Sequence, residues 1–207
     1  MIPTNSATRP VLRMVVLAAG FSARLGTPKA LARVRGSSLI RNAVRLLAPL
    51  AQSTIIVVTA PRAARLRVEV REHRLEFAEN PRRAGGLSTS VRRGLLRARY
   101  SAAVMLLPLD LAHLERRDIV RLIGRWRGAR RRVVARRVGS QGGTPLILPR
   151  WLYPRALGIG GDAGLKDLVR RLPKADVVLV NLASAAFDVD TPHDLDRARR
   201  RMRIRAG

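Results

Sequence analysis

Cysteine is absent from the 207-residue sequence, which excludes disulfides and metal sites built on thiolates. Aromatic residues make up only 3% of the chain, so few side chains are available to stack on nucleic-acid bases. No apolar run reaches the ~20 residues that a membrane-spanning helix needs. The lack of cysteine suits a reducing compartment. We therefore expect a cytoplasmic protein that does not bind a membrane.

Positive charge is abundant, and almost all of it is arginine. The sequence holds 41 lysines plus arginines against 14 aspartates plus glutamates, and its only lysines are Lys29, Lys166 and Lys174. The net charge of +27 can indicate nucleic acid or an acidic substrate as a partner. The arginines are spread over nearly every predicted helix, however, and a basic run is usually a solvated face. We expect nucleic acid not to be a partner, with codon bias as the simplest source of the arginines.

Strand-like and helix-like segments alternate along the chain. Residues 11–19 are an almost continuous apolar run, typical of a strand buried on both faces of a parallel sheet. The pattern predicts further strands at residues 53–59, 75–78, 101–110, 132–137, 144–148 and 176–181, and helices at 38–47, from Pro61, and at 86–98, 115–127, 163–171 and the C-terminus. Such alternation predicts a three-layer α/β fold with a mainly parallel sheet. We expect a flexible lead-in at residues 1–10 and one domain at 11–203.

The first loop, LAAGFSARLGTPK at residues 17–29, follows the first strand. In parallel sheets ligands bind at the carboxyl ends of the strands, and a glycine-rich bend there lets backbone N–H groups approach a phosphate. The loop matches neither the GK[ST] phosphate loop nor the dinucleotide pattern GxGxxG. Lysine is a compact charge on a slim stem, whereas arginine is a planar fork, so Lys29 suits a crowded phosphate-binding bend.

Two acidic motifs also follow predicted strands. Asp110 ends the buried run VMLLPLD, and a carboxylate at that point can face the crevice and hold a cation. Its alternative role is to cap the helix that begins near Glu115. The motif DVDTPHDL opens the last helix, with Pro192 in the first turn and Thr191 or Asp190 as its cap.

Together these motifs resemble those of the MobA-like NTP transferases, which include the molybdenum cofactor guanylyl- and cytidylyltransferases and the sugar-1-phosphate nucleotidyltransferases. The resemblance spans about residues 11–200 and is strongest at L-A-A-G-x-S-x-R-x-G-x-x-K. It implies a Rossmann-like, glycosyltransferase-A-like fold and a loop that wraps a nucleoside triphosphate, with Arg24 and Lys29 as catalytic residues on its phosphates. The double alanine resembles the cytidylyltransferase version of the loop, which favours CTP.

The same resemblance implies a magnesium site. Asp110 matches the aspartate of a family Asp-x-Pro motif that binds Mg²⁺, although Ala112 stands where the proline usually lies. Asp110 is thus the third implied catalytic residue. Either Asp188 or Asp190 supplies a second metal ligand, and we favour Asp188 because it lies nearest the end of the strand.

Further motifs resemble the two substrate sides of the family's site. The stretch NPRRAGGLSTS resembles one that lies by the base and ribose; its Gly-Ser part at residues 86–90 could equally be just the N-terminal cap of a helix. The implied nucleotide-binding residues are Leu17, Ala18, Ala19, Gly20, Ser22, Gly26, Asn80, Gly86, Leu87, Ser88 and Ser90. The stretches GGTPLIL and GGDAG resemble the acceptor side, and the implied residues are Gly143, Thr144, Pro145, Gly161, Asp162 and Lys166. Leu165 and Lys166 depart from the small residue and arginine of the molybdenum cofactor branch, which leaves the acceptor open.

The predicted activity is transfer of a nucleoside monophosphate from an NTP, preferably CTP, to a phosphorylated acceptor, with release of pyrophosphate. Molybdopterin is the preferred acceptor, and an enzyme that receives the finished cofactor would be a partner. A phosphate monoester is largely dianionic near pH 7 because its second pKa is about 6, so no general base is needed. The alternatives are guanylyl transfer, a sugar-phosphate or phospho-acid acceptor, a cofactor carrier, and an arginine-rich nucleic-acid-binding protein on this fold.

Overall fold

The computed structural model describes residues 11–21, 26–34, 36–160, 164–184 and 189–204. In these residues the strands are β1 (Leu12–Leu17), β2 (Arg33–Val34), β3 (Ser37–Ser38), β4 (Ile55–Thr59), β5 (Leu75–Glu79), β6 (Ala103–Pro108), β7 (Val133–Val138), β8 (Gln141–Pro149) and β9 (Val177–Val180). The α-helices are α1 (Leu39–Leu47), α2 (Ala64–Glu69), α3 (Leu87–Arg97), α4 (Arg116–Gly128), α5 (Tyr153–Leu157), α6 (Gly164–Arg170) and α7 (Pro192–Ile204). The predicted lead-in at residues 1–10 lies outside the described residues.

Seven of the strands form one mixed sheet in the order β5-β4-β1-β6-β8-β7-β9. Strand β8 runs antiparallel to its neighbours β6 and β7, whereas the other pairings are parallel. Strands β2 and β3 form a separate antiparallel pair. The sheet confirms the predicted α/β class and its mainly parallel character.

Side chains of the central strands alternate between two buried clusters, one on each face of the sheet. On β1, Leu12, Met14 and Val16 belong to one cluster, while Val15 and Leu17 belong to the other. Helices α1, α2 and α4 contribute to the first cluster, and α3, α5 and α6 contribute to the second. A strand covered on both faces reads as a continuous apolar run, so this arrangement explains the sequence and confirms the three layers.

Helix α3 packs on β1 at unusually short range. A Cβ atom added at Gly94 would lie 2.6 Å from Cγ1 of Val15, closer than two carbon atoms can approach without movement. Glycine at this position therefore allows the helix to lie against the strand. The contact fixes α3 beside the strand whose following loop carries the first motif.

The order of the strands places a crevice at one edge of the sheet. Strand β4 lies on one side of β1 and β6 lies on the other, so the direction of the chain across the sheet reverses at β1. The loops that follow β1 and β6 separate at such a switch point, and ligands bind between them. The crevice is therefore expected where the first loop and Asp110 meet.

Helix α4 begins with a reciprocal cap made by two carboxylates. The Glu115 side chain accepts a backbone hydrogen bond from Asp118, whose own side chain accepts one from the backbone N–H of Glu115. Burial raises the pKa of the Asp118 carboxyl. Because Glu115 makes this cap, Asp110 does not, and the alternative role that the sequence left open for Asp110 is wrong.

Several short elements differ from the sequence-based prediction. Helix α2 begins at Ala64 rather than at Pro61, because Arg62 takes a left-handed conformation with φ of 55°. Helix α5 and the β2–β3 pair were not predicted, since each is too short to show a periodic pattern of apolar residues. None of the helices in the described residues could serve as a membrane span.

Candidate active site

A cavity of about 860 Å³ opens at the carboxyl ends of β1 and β6. Its walls come from the loops that follow β1, β4, β5 and β6, and from the segment that leads into α7. The cavity therefore lies at the switch point of the sheet, where the fold predicts a ligand site. Its volume suits a nucleotide-sized molecule.

The structure brings together many of the residues that the sequence singled out. The described residues of that set that line the cavity are Leu17, Ala18, Ala19, Gly20, Lys29, Gly86, Leu87, Ser90 and Asp110. Those that are described but do not line it are Gly26, Asn80, Ser88, Gly143, Thr144, Pro145 and Lys166. Those that lie outside the described residues are Ser22, Arg24, Gly161, Asp162 and Asp188.

Lys29 forms an ion pair with the segment before α7. Lys29 Nζ donates to Oδ1 of Asp190 at 2.6 Å, and the two side chains are 21% and 52% exposed. A partly exposed ion pair contributes little to stability, so the pair matters for where it holds the two charges. It places one cation and one carboxylate at the same wall of the cavity.

The start of α7 holds Asp190 in place. Thr191 Oγ1 accepts from the backbone N–H of Asp194, and Oδ2 of Asp194 accepts from both the backbone N–H and the hydroxyl of Thr191. These hydrogen bonds from Thr191 lower the pKa of Asp194. Oδ2 of Asp194 also accepts from the backbone N–H of Asp190 at 3.2 Å. The predicted cap before Pro192 is confirmed, and it also fixes the residue that pairs with the lysine.

Asp110 and Asp190 lie on loops that touch. The backbone oxygen of Asp110 accepts from the N–H of Val189 at 2.7 Å, and both aspartates line the cavity. Asp110 is half-buried, and its Oδ1 atom is buried. Mg²⁺ is usually held by one or two carboxylates together with substrate phosphates, so these two side chains fit such an ion. No cluster of three or more metal-binding side chains occurs in the part of the chain that the structure describes.

Asn80 organises the part of the cavity wall next to α3 from behind. Its amide nitrogen donates to Oγ1 of Thr89 at 2.9 Å and to Oγ of Ser90 at 3.0 Å, and its amide oxygen accepts from the N–H of Arg82. Asn80 is 3% exposed. It therefore ties the loop after β5 to the first turn of α3, which is a positioning role.

The first turn of α3 faces the cavity through Gly86 and Leu87. Gly86 is the N-cap residue, with φ of 85°, and no side chain caps the helix. Ser88 instead donates its hydroxyl to the backbone oxygen of Gly85. The alternative interpretation of this Gly-Ser stretch as the N-terminal cap of a helix is therefore confirmed, with Gly86 rather than a serine as the N-cap residue. A helix N-terminus carries partial positive charge and favours an anion, so α3 adds to the cationic character of this wall.

Sequence reasoning missed several basic and aromatic residues of the wall. Arg62, Arg65, Arg83 and Phe21 all line the cavity. The Arg83 guanidinium lies 4.1 Å from the centroid of the Phe21 ring and donates to the backbone oxygen of Ala19 at 3.4 Å. Arg83 occupies a variable position of the Asn-Pro-x-x-x-x-Gly motif, so only its proximity to the first loop could have identified it.

Of the two acceptor motifs, the 143–145 stretch lies in β8, and its residues do not line the cavity. Residues 161–163 of the other motif lie outside the described residues. A Cβ at Gly143 would lie 2.8 Å from Val138, so this glycine is explained by packing. The fourth acceptor residue that the structure describes, the lysine of α6, is exposed.

Solved structures share this fold. Rv0371c from Mycobacterium tuberculosis H37Rv has a TM-score of 0.74 and 24% identity over 92% of this chain and 98% of its own; it has also been solved with manganese. Molybdopterin-guanine dinucleotide biosynthesis protein A from Archaeoglobus fulgidus has a TM-score of 0.70 and 15% identity over 93% and 99%. The 2-C-methyl-D-erythritol 4-phosphate cytidylyltransferase from Thermus thermophilus has a TM-score of 0.68 and 21% identity over 94% and 100%.

At these identities the structural likeness shows the fold alone, and no curated protein sequence matches the chain. The family comparison shows more than the fold, because it matches the sequence itself. The model of the MobA-like NTP transferase domain matches residues 14–177. This span contains the first loop, the loop after β5 and Asp110, and the chain belongs to the family of MobA-like NTP transferase domains.

Proposed function

We propose that this member of a nucleotidyltransferase family transfers CMP from CTP to a phosphorylated acceptor, with molybdopterin as the preferred acceptor and Mg²⁺ as the cofactor. The observation that carries the proposal is the cavity at the switch point, where Lys29 and two carboxylates share one wall. The family supports an enzyme and the NTP and acceptor classes. The base, the acceptor and the metal are the proposed part.

The proposed reaction is an in-line displacement at phosphorus. An oxygen of the acceptor phosphate attacks the α-phosphorus of CTP, the bond from that phosphorus to the bridging oxygen breaks, and pyrophosphate leaves with the electron pair. The acceptor phosphate is largely dianionic near pH 7, because its second pKa is about 6. No proton therefore has to be removed from the nucleophile. Catalysis then consists of positioning and charge neutralisation.

The charges at the cavity wall can be redistributed when the nucleotide binds. Lys29 now balances Asp190, and a triphosphate would offer Lys29 a stronger anionic partner. Asp190 would then be available, with Asp110, to hold Mg²⁺. Bound there, the ion would neutralise charge on the triphosphate. We propose that Arg24 also contacts the phosphates and that Asp188 is the alternative second ligand; both lie outside the described residues.

The preference for CTP rests on the double alanine at residues 18–19, which line the cavity. One structure of the same fold is a cytidylyltransferase and another is named for a guanine dinucleotide, so the fold accommodates both bases. Guanylyl transfer is therefore the direct alternative. A cytoplasmic location and an enzyme that receives the finished cofactor remain predictions.

The test is product formation from a panel of substrates. The purified protein is incubated with Mg²⁺, each of the four NTPs and either molybdopterin, a sugar 1-phosphate or a phospho-acid, and released pyrophosphate and product mass are measured. We expect pyrophosphate and the CMP adduct with CTP and molybdopterin. A GMP adduct would move the assignment to guanylyl transfer. Absence of pyrophosphate with every pair, in protein shown to be folded, would contradict nucleotidyl transfer.

A further inference from the structure

Three loops meet at the ends of the strands opposite the cavity, at residues 99–102, 129–132 and 150–152. The backbone N–H of Arg150 donates to the oxygen of Ala102 at 3.0 Å, and Nε1 of Trp151 donates to the backbone oxygen of Arg131 at 2.7 Å. These hydrogen bonds join the loops into one surface. We call this surface the basic edge.

The topology separates the basic edge from the cavity. Its first two loops precede β6 and β7, and its third follows β8, which runs antiparallel to both. All three loops therefore lie at the amino ends of the parallel strands. The cavity lies at their carboxyl ends, so a partner at the basic edge would not compete with a nucleotide.

The loops of the basic edge come from stretches without acidic residues. No aspartate or glutamate occurs at residues 80–109 or 119–161, and the second stretch holds ten arginines. Elsewhere in the chain, acidic side chains balance some of the arginines: Glu69, Glu72 and Glu76 all form ion pairs with them. The arginines of the basic edge therefore have no acidic residue nearby in the sequence to balance their charge.

The arginines of the basic edge face solvent. Those that are exposed are Arg99, Arg130, Arg131 and Arg150. None of the four takes part in an ion pair within the described parts of the chain. Four unbalanced guanidinium groups on adjoining loops form a site suited to phosphate groups.

Two aromatic rings lie among these arginines. Tyr100 is 75% exposed and Trp151 is 43% exposed, although aromatic residues make up only 3% of the chain. The Arg99 guanidinium lies 4.5 Å from the centroid of the Tyr100 ring. The hydrogen bond of Trp151 to Arg131 restricts the orientation of its ring. Exposed rings beside cations are the pattern that binds unpaired bases, because every base has a face that can stack.

We propose that the basic edge binds single-stranded nucleic acid, with phosphates on its exposed arginines and bases stacked on Tyr100 and Trp151. The sequence argued against such a partner because the arginines are spread over nearly every predicted helix and aromatic residues are few. The structure places two of those few on the same arginine-rich surface. The proposal is independent of nucleotidyl transfer, since it uses no residue of the cavity.

The experiment measures binding of fluorescein-labelled oligouridylate and oligodeoxythymidylate, each about 20 nucleotides long, to the purified protein by anisotropy over a range of salt concentrations. We expect binding whose log K falls with log salt, with a slope of about −0.7 for each phosphate contact. Tighter binding of the RNA would identify RNA as the partner, and equal binding would identify single strands in general. Both results support the proposal.

Tryptophan emission supplies a local readout. Trp126 is 2% exposed, so the emission that a stacked base can quench comes from Trp151. Unlabelled oligouridylate should quench part of the emission of the native protein and none of that of Trp151→Phe. Binding without any quenching of Trp151 would overturn the proposed stacking surface.

A pair of matched variants separates the basic edge from overall charge. Arg99→Gln/Arg150→Gln and the control Arg71→Gln/Arg74→Gln each remove two exposed arginines. We expect the first to weaken binding by more than about tenfold at 0.1 M salt and the second by less than about twofold, with Tm unchanged in both. Equal weakening would overturn the proposal in favour of a whole-molecule charge effect.

Binding only to vesicles of 70% phosphatidylcholine and 30% phosphatidylserine would overturn it in favour of a lipid surface.

Discussion

The two sides of the crevice differ in how closely motif and geometry agree. The loops after β1 and β5 bring predicted nucleotide-binding residues directly to the cavity wall, among them Gly20, Gly86 and Ser90. On the other side, β8 and α6 bring none of the described acceptor residues to it. Phosphates are bound largely by backbone N–H groups and nearby cations. The backbone can approach a phosphate closely only where glycines stand at fixed spacings in the loop. Acceptor recognition has no such constraint, and its signature is correspondingly weaker.

Asp110→Asn should have the largest effect. Loss of one group that stabilises developing charge typically costs about 10²- to 10³-fold in rate, and we expect that loss in pyrophosphate release with Tm unchanged. Asp196→Asn is the matched control, because Asp196 pairs with Arg199 on α7 and does not line the cavity. Full turnover by Asp110→Asn would show that this aspartate takes no part in the mechanism. Motif and geometry would then agree less well on the nucleotide side of the crevice.

Lys29→Ala should lose activity by about 10²-fold, because it removes the cation that pairs with Asp190 at the cavity wall. Lys29→Arg sharpens the test, since it keeps the charge and replaces a slim ammonium with a planar fork. We expect the activity of Lys29→Arg to exceed that of Lys29→Ala by less than about tenfold. Kinetics over a range of NTP concentrations measure the effect, and native activity in Lys29→Arg would show that the site requires only charge.

Asp190→Asn distinguishes the two candidates for the second metal ligand. It removes the partner of Lys29 and, on the proposed arrangement, a ligand of the cation. Loss of groups around a metal typically weakens its binding by about 10- to 100-fold, so the Mg²⁺ concentration needed for half-maximal activity should rise by at least tenfold. If Asp188→Asn shows that rise and Asp190→Asn does not, the second ligand is Asp188.

Lys166→Ala tests the acceptor side. Lys166 is exposed on α6, so we expect no change in Tm. A lost contact to a charged group costs about 1.5–3 kcal/mol, which corresponds to a rise in acceptor KM of roughly tenfold or more. The KM for the NTP should be unchanged, and Lys174→Ala is the control. An unchanged acceptor KM would show that the family motif does not transfer to this chain at α6.

The smallest effect on turnover should come from the packing beneath the nucleotide side. Gly94→Ala forces a methyl group against Val15, and overpacking of this kind costs about 1–3 kcal/mol of stability. Gly124→Ala on α4 meets no atom within 4 Å and should stabilise the fold by about 0.5–1 kcal/mol. Thermal or urea unfolding measures both, and equal effects would show that the close contact is not needed.

The sequence predicted the fold well wherever a local pattern carried the information. Buried strands such as β1 and β6 appear as continuous apolar runs, and the start of α7 is encoded in the capping residues Thr191 and Asp194. The elements that were missed, α5 and the β2–β3 pair, are too short to show a period. Their positions are determined by tertiary packing.

The candidate site was predictable in part for the same reason. Lys29 and Asp110 follow strands at the switch point, so their convergence could be expected from topology. The contact of Lys29 with Asp190 joins residues separated by 161 positions, and nothing local marks it. Arg83 likewise contacts the first loop through Ala19, 64 positions away, and through the Phe21 ring. Long-range contacts of this kind are visible in the structure and not in the sequence.

The most direct test of the account is the thermal shift of the purified protein with CTP, GTP, ATP and UTP, each with and without Mg²⁺. A ligand that binds the folded state at 100 times its Kd adds about 2.7 kcal/mol of stability. We predict that CTP raises Tm only with Mg²⁺ and that Asp110→Asn abolishes this rise. A native protein whose Tm responds to none of the four triphosphates would contradict the nucleotide site on which the account depends.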